Sequence, residues 1–346
     1  MSALFLSACS GRELEDKSFP LAIGIDRNQE GMALSFDFPL LEDSEENKNP
    51  SGKSVNFSVE AGAYYEAQKA YENNTNKVLD YNHLKAILIG EKFLADPEEL
   101  RNLLAWLEQE EVIARNTYLF VAKEQASEIL TLTEETGGSV GEYLEQMLKT
   151  QEDFKENKIM TIGDLMNQWH NQNELLLLPV LTNNGEVPSV TEYAVLDAFS
   201  YQGNITVEEA MKAFLCQGLL ERFTCRLEGG EVVEIQNIGV KCGIDGSGDR
   251  VTVRMDLSGQ AKVKQAGLEK NVTSAQLKKQ LDQQLEESME VTAVVLEREP
   301  GIDITNSFVK LGGYARGLYE QYQGDYAGYQ EHLGYDFSVD MKIVEE

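Results

Sequence analysis

The spacing of hydrophobic positions changes along this chain, and each change marks an element. Phe19 to Asp26 is apolar on both faces and reads as a buried strand. Gly31 to Phe38 alternates, with Met32, Leu34, Phe36 and Phe38 on one face, which predicts a half-buried strand joined to the first by a turn over 28–31. The charged and turn-forming run from Glu42 to Lys53 predicts a loop. A short strand then leads to a helix from about Glu60 to Leu79. Leu84 to Gly90 carries apolar residues on both faces, as a central strand does. Asp96 and Pro97 supply an N-cap and an N1 proline for a helix through Leu100, Leu103, Leu104 and Leu107. Thr117–Val121 is a further strand, and Glu124–Leu130, Val140–Leu148 and Ile162–Trp169 are helical. Leu175–Leu181 is an extended apolar segment. Strands and helices follow one another without strict alternation, so the sheets should be mixed rather than doubly wound.

The loop from Thr182 to Pro188 is the best boundary between domains, because the pattern changes beyond it. Val195–Phe199 and Gly230–Lys241 read as strands, and Val251, Val253, Met255 and Leu257 alternate. A long helix from about Ser274 towards Arg298 stacks Leu277, Leu281, Leu285 and Met289, and Pro300-Gly301 ends it. Phe337–Ile343 closes the chain as an alternating strand. The expected fold is α+β and multi-domain, with mixed sheets, packed helices and no transmembrane helix in the mature chain. Residues 10–188 form an N-terminal domain and 189–346 a C-terminal domain of one or two subdomains.

Charge and composition narrow the function. The chain has 346 residues, 59 acidic and 30 basic, for a net charge of −29. Nucleic acid is an unsuitable partner, since phosphate contacts need clustered Lys and Arg. A 42 % hydrophobic content suits a globular protein rather than a disordered acidic one. No apolar run approaches the roughly 18–20 residues of a membrane-spanning helix.

Chemistry-bearing residues are few. His83, His170 and His332 have no second histidine at helical spacing, so no helical metal motif is present, and each reads as a surface or structural residue. Cys216, Cys225 and Cys242 form no CxxC pair; one disulfide is open to them, but buried free thiols are the preferred reading. The glycine-rich Gly243–Asp249 lies between two strands rather than before a helix, so it reads as a hairpin turn and not a phosphate loop. Acidic pairs such as Glu134-Glu135 and Glu345-Glu346 read as solvated surface. No GxSxG elbow or Cys/His pairing is found, so no catalytic, cofactor-binding or metal residues are assigned. Tyr314, Tyr319, Tyr322, Tyr326 and Tyr329 recur at helical spacing. They could bind sugars or proteins, but packing onto the C-terminal sheet is preferred.

Leu6-Ser-Ala-Cys9 has the lipobox pattern: an aliphatic residue, two small ones, then a cysteine whose thiol takes a diacylglyceryl group. Cys9 is therefore the expected lipidation site and residues 1–9 a remnant signal. The alternative is a frayed apolar N-terminus. Only eight residues precede Cys9 and none is basic, so a longer signal is expected in the precursor.

Several ordered segments resemble the Ger(x)C family, the lipoprotein C subunits of spore germinant receptors. Gly11-Arg-Glu-Leu-Glu-Asp16 is similar to its RELE element, Leu21-Ala-Ile-Gly-Ile-Asp26 to its GIGID strand, and Lys85-Ala-Ile-Leu-Ile-Gly-Glu91 to a further strand. Glu110–Asn116 and Ala126–Leu130 match later segments. The order and spacing agree over about 1–190. One departure is Ser10-Gly11, where the family usually has a tryptophan close after the lipidated cysteine. The resemblance implies a non-enzymatic protein, lipid-anchored on the outer face of the spore inner membrane and acting with membrane-embedded A and B subunits. It also implies a multi-domain α+β fold. The alternatives are a solute-binding lipoprotein of a transporter, which would need two similar lobes, and a lipoprotein hydrolase, which would need a nucleophile beside a base.

Overall fold

The computed structural model describes residues 14–28, 31–39, 54–132, 136, 138–150, 160–170, 175–183, 187–197, 200–247, 250–267, 272–298 and 301–344. The chain divides into two compact units, one of Met1–Glu145 with Leu181–Ser189, the other of Gln146–Val180 with Val190–Glu346. The fold is α+β, with helices packed on mixed sheets. Among the described residues no helix is long and apolar enough to cross a membrane.

In the first unit, β1 (Lys17–Ser18), β2 (Ala22–Arg27), β3 (Met32–Pro39) and β4 (Ser54–Ala61) precede α1 (Tyr64–Thr75). Then come β5 (Val78–Leu79), β6 (Ala86–Gly90), α2 (Glu91–Leu94), α3 (Pro97–Gln109), β7 (Tyr118–Ala122), α4 (Ala126–Leu130) and α5 (Val140–Thr150). The strands lie in the order β7-β6-β2-β3-β4; β7, β6 and β2 are parallel, and β2, β3 and β4 antiparallel. Every residue of β6 is buried, as its two apolar faces predict, and Ile87 lies between Ile23 and Leu119. Asp96 caps α3 by accepting from the Glu98 and Glu99 amides at 3.0 and 3.3 Å, and it also pairs with Arg27.

Two expectations are corrected. The helix foreseen over 60–79 spans only Tyr64–Thr75, because Asn76 turns left-handed (φ 56°) and Val78–Leu79 pairs in parallel with Lys17–Ser18. β3 is not half-buried: its alternate face holds Ser35 and Asp37, both buried. Polar residues are tolerated there because they are bonded. Ser35 Oγ lies 2.8 Å from Ser58 Oγ. Asp37 accepts from Ser139 Oγ at 2.7 Å and from the Gly141 amide at 3.0 Å.

Asp26, at the end of β2, does similar work. It accepts from the Ala126 and Ser127 amides at 2.7 and 2.9 Å and so caps α4 from 100 residues away. A Cβ on Gly90 would stand 2.5 Å from Asp26 Oδ1, so glycine is what lets that carboxylate approach.

In the second unit, α6 (Ile162–His170), β8 (Leu175–Asn183), β9 (Pro188–Asp197) and β10 (Ser200–Thr206) lead to α7 (Val207–Gln217). A four-stranded sheet follows in the order β11-β12-β13-β14, built from β11 (Arg222–Arg226), β12 (Val232–Ser247), β13 (Arg250–Gln265) and β14 (Leu333–Ile343). Its first three strands are antiparallel, and β14 runs parallel to β13. Parallel pairing needs a crossover, and the chain supplies α8 (Ser274–Arg298), α9 (Ser307–Tyr314), α10 (Arg316–Tyr322) and α11 (Tyr326–Glu331). The alternating Val251, Val253, Met255 and Leu257 are buried as expected.

The hairpin assigned to Gly243–Asp249 sits later than foreseen, since β12 continues to Ser247 and pairs there with Arg250. Gly246 is needed for closeness rather than for a turn: a Cβ on it would stand 2.6 Å from the Leu318 side chain. The tyrosine stripe is not one helix but three short ones, interrupted at Ala315 and at Gly324 (φ 86°). Tyr322 and Tyr329 are buried in a cluster with Phe308, Leu311, Ile244 and Val251, so the tail packs on the sheet. Tyr314 stays 62 % exposed.

Candidate functional site

Cys9, Glu134-Glu135 and Glu345-Glu346 lie outside the described residues. Of the remaining chemistry-bearing residues the structure brings Cys216 and Cys242 near one another and near Asp303, while the three histidines lie on separate elements. His83 ends the turn capped by Asp80 and packs edge-on against Phe19 at 5.2 Å. His170 ends α6, and His332 lies beside Tyr322, 6.1 Å between rings. No group of three potential metal ligands is found among the described residues.

Cys216, Cys225 and Cys242 are free thiols. Cys216 is buried, and that burial pushes its thiol well above the ordinary range. Burial also raises Cys225, to about 11. At neutral pH such thiols are protonated, and it is the thiolate that attacks or binds metal. None of the three is therefore primed as a nucleophile.

Asp303 anchors a buried polar knot in the second unit. It is 2 % exposed and accepts from the Thr305 amide at 2.9 Å, Thr305 Oγ1 at 2.5 Å, the Ser307 amide at 2.8 Å and Ser307 Oγ at 2.5 Å. Ser307 Oγ also lies 2.6 Å from the Tyr329 hydroxyl, and Tyr335 reaches Asp303 at 3.4 Å. Burial raises the phenols of Tyr329 and Tyr335 far above their usual value, with the Asp303 carboxylate adding to it, so both stay neutral donors. A carboxylate with this many donors is satisfied internally. The knot fixes the 301–306 turn to α9 and α11 and leaves Asp303 no spare lone pair aimed at a substrate.

The second unit holds a cleft of about 760 Å³ between α7, α8 and the β11 edge, with Val190 and Tyr193 of β9 also in its wall. Val207, Met211 and Leu215 of α7, Leu285 and Met289 of α8 and Phe223 of β11 form its apolar lining. Leu285 is half-buried there, which explains why only part of the predicted leucine stack is sealed. The cleft also holds Lys212, Arg222 and Arg226 against one carboxylate, Glu208. It resembles a binding concavity: apolar walls with a few charged groups. Sequence reading missed α7 altogether. Its signal was available, since Thr206 and Glu209 form a reciprocal capping box, with Glu209 N to Thr206 Oγ1 at 3.2 Å and Thr206 N to Glu209 Oε2 at 2.8 Å.

Comparison with known proteins gives two matches. A family model described as the spore germination protein N-terminal domain matches residues 10–183. Among solved structures, the crystal structure of the GerBC protein superposes with a TM-score of 0.63 at 14 % identity, covering 93 % of this chain and 97 % of that one. At that identity the likeness shows a shared fold. No curated protein sequence matches.

Proposed function

The chain belongs to the Ger(x)C family of spore germination proteins, matched over residues 10–183, and from that premise we propose that it is the non-enzymatic, lipid-anchored C subunit of a nutrient germinant receptor. The observation that carries the reading is the family match over half the chain. The likeness in fold to the GerBC protein supports it along most of the length. In this reading Cys9 carries the lipid, the mature chain begins there, and domains over 10–188 and 189–346 stand on the outer face of the spore inner membrane. Two acyl chains on one glyceryl thioether hold a protein firmly where a single chain gives only marginal binding. The membrane-embedded A and B subunits are the partners, and no cofactor is required.

Protonated thiols and an internally satisfied Asp303 leave little for catalysis, which supports a binding or transducing role. The purified chain is expected to turn over no ester, peptide or glycoside substrate. Deleting the gene should slow germination with at least one nutrient, and restoring it should recover the rate only when both membrane subunits are present. Cys9→Ala should move the protein from the spore membrane fraction to the soluble one. Retention of that variant in the membrane defeats the anchor, and normal germination with every nutrient after removal of related receptors defeats the receptor role.

A further inference from the structure

The two edges of the second unit's sheet are finished differently by the same helix. On β14, α8 covers the edge with carboxylates: the Val339 amide donates to Glu286 at 2.9 Å and the Met341 amide to Asp282 at 3.0 Å. On β11, α8 sends out an amide instead. Gln284 Nε2 donates to the Arg226 carbonyl at 2.9 Å, and its Oε1 accepts from the Glu228 amide at 3.1 Å. That is the pair of bonds a neighbouring strand would make.

The direction of the next rung follows from the ladder. Leu227 pairs inward with Glu231, its amide donating to the Glu231 carbonyl at 2.8 Å, so alternate residues of β11 face inward and outward. Arg226 faces outward, and Thr224, two residues earlier, does the same. Thr224 is exposed, and no described residue bonds its backbone on that side. Its rung opens into the cleft.

We propose that the β11 edge and its cleft bind an extended segment of a partner protein by strand addition, the segment carrying alternate apolar residues and a carboxylate. Backbone bonds to Thr224 would continue the ladder that Gln284 begins, and every second side chain of the segment would enter the apolar wall made by Met211, Leu215, Leu285 and Met289. Charge selects the acid. The cleft carries three cations and one carboxylate, in a chain whose net charge is −29. Lys212 already pairs with Glu208 at 2.9 Å, and Arg222 with Glu234 at 3.7 Å, which leaves Arg226 as the cation for the segment's acid. Arg226 is exposed and makes no ion pair with a described residue. This inference goes beyond the receptor reading and does not require it.

The test is a selection of random displayed dodecapeptides on the purified full chain, followed by fluorescence anisotropy with the enriched peptides as synthetic probes. Enriched peptides should alternate apolar residues and carry Asp or Glu. Thr224→Pro should weaken their binding at least tenfold. Proline is compatible with an edge strand whose N–H faces outward, so the fold should survive. Arg226→Glu and Leu285→Glu should each weaken binding severalfold, whereas Arg316→Glu, the same charge change on α10, should not. Hydrogen exchange of the Thr224 amide should slow when peptide is bound. Failure to enrich peptides, enrichment without alternation or acid, binding indifferent to Thr224→Pro in a folded variant, or unprotected Thr224 would overturn the proposal.

Discussion

Ile87→Asp is expected to unfold the first unit. Ile87 is fully buried at the middle of β6, flanked in parallel by Ile23 of β2 and Leu119 of β7. An aspartate there meets apolar side chains and ladder amides already in use. A buried charge without a partner costs several kcal/mol, a large share of the roughly 5–15 kcal/mol that holds a domain together. Ile87→Val is the control: it removes one methylene and should cost only about 0.5–1.5 kcal/mol. Thermal melting followed by circular dichroism should show the aspartate variant losing the transition of the first unit while the valine variant keeps it. A native-like spectrum with an unchanged melt for Ile87→Asp would mean that β6 is not the centre of its sheet.

The second large effect is expected at Asp303. Asp303→Ala strands two backbone amides and two hydroxyls inside the protein. Each orphaned donor costs about 1–3 kcal/mol, partly recovered where water enters. A total of about 4 kcal/mol lowers the melting temperature of a unit this size by roughly 10–15 °C. Asp303→Asn keeps the shape and one acceptor, so it should fall between. A shift below about 2 °C for the alanine variant would show that the knot is dispensable. The change should also loosen Tyr329, which near-ultraviolet circular dichroism would register as lost tyrosine signal.

Most of the central elements were legible because burial on both faces leaves a plain mark. Leu84–Gly90 has that mark, and so has the alternation from Val251 to Leu257. The Asp96-Pro97 start of α3 was legible because capping is local chemistry. What was not legible depended on residues far apart. Nothing near Asp37 announces that Ser139 and the Gly141 amide will satisfy it, so β3 looked half-exposed. Gly246 looked like a turn because its need is spatial, the approach of Leu318 from 72 positions further along. The cleft was hidden for a related reason. Its walls come from β9, α7, α8 and β11, and the polar role of Gln284 exists only once the β11 edge is placed beside it. The tyrosines stand out as a repeat, yet their partners Ile244 and Val251 belong to strands far earlier in the chain. The anchor expected at Cys9 rests on a short local pattern, and its test is biochemical.

The long-range carboxylate caps also set the order of events as the first unit forms. β2 and β3 are joined by a short connection and can pair within microseconds, as hairpins do. Asp26 and Asp37 on those strands, however, find their partners only after a further 100 to 104 residues have come into place. Closing loops of that length is slow, and contacts across them tend to form after the rate-limiting barrier. The two carboxylates should therefore be late contacts. Removing either should quicken unfolding and leave the refolding rate nearly unchanged. In a denaturant chevron, the unfolding arm alone should rise; a refolding arm that falls in proportion would place the caps in the nucleus. The caps thus act as latches on the finished unit, governing how long it stays folded more than how fast it gets there.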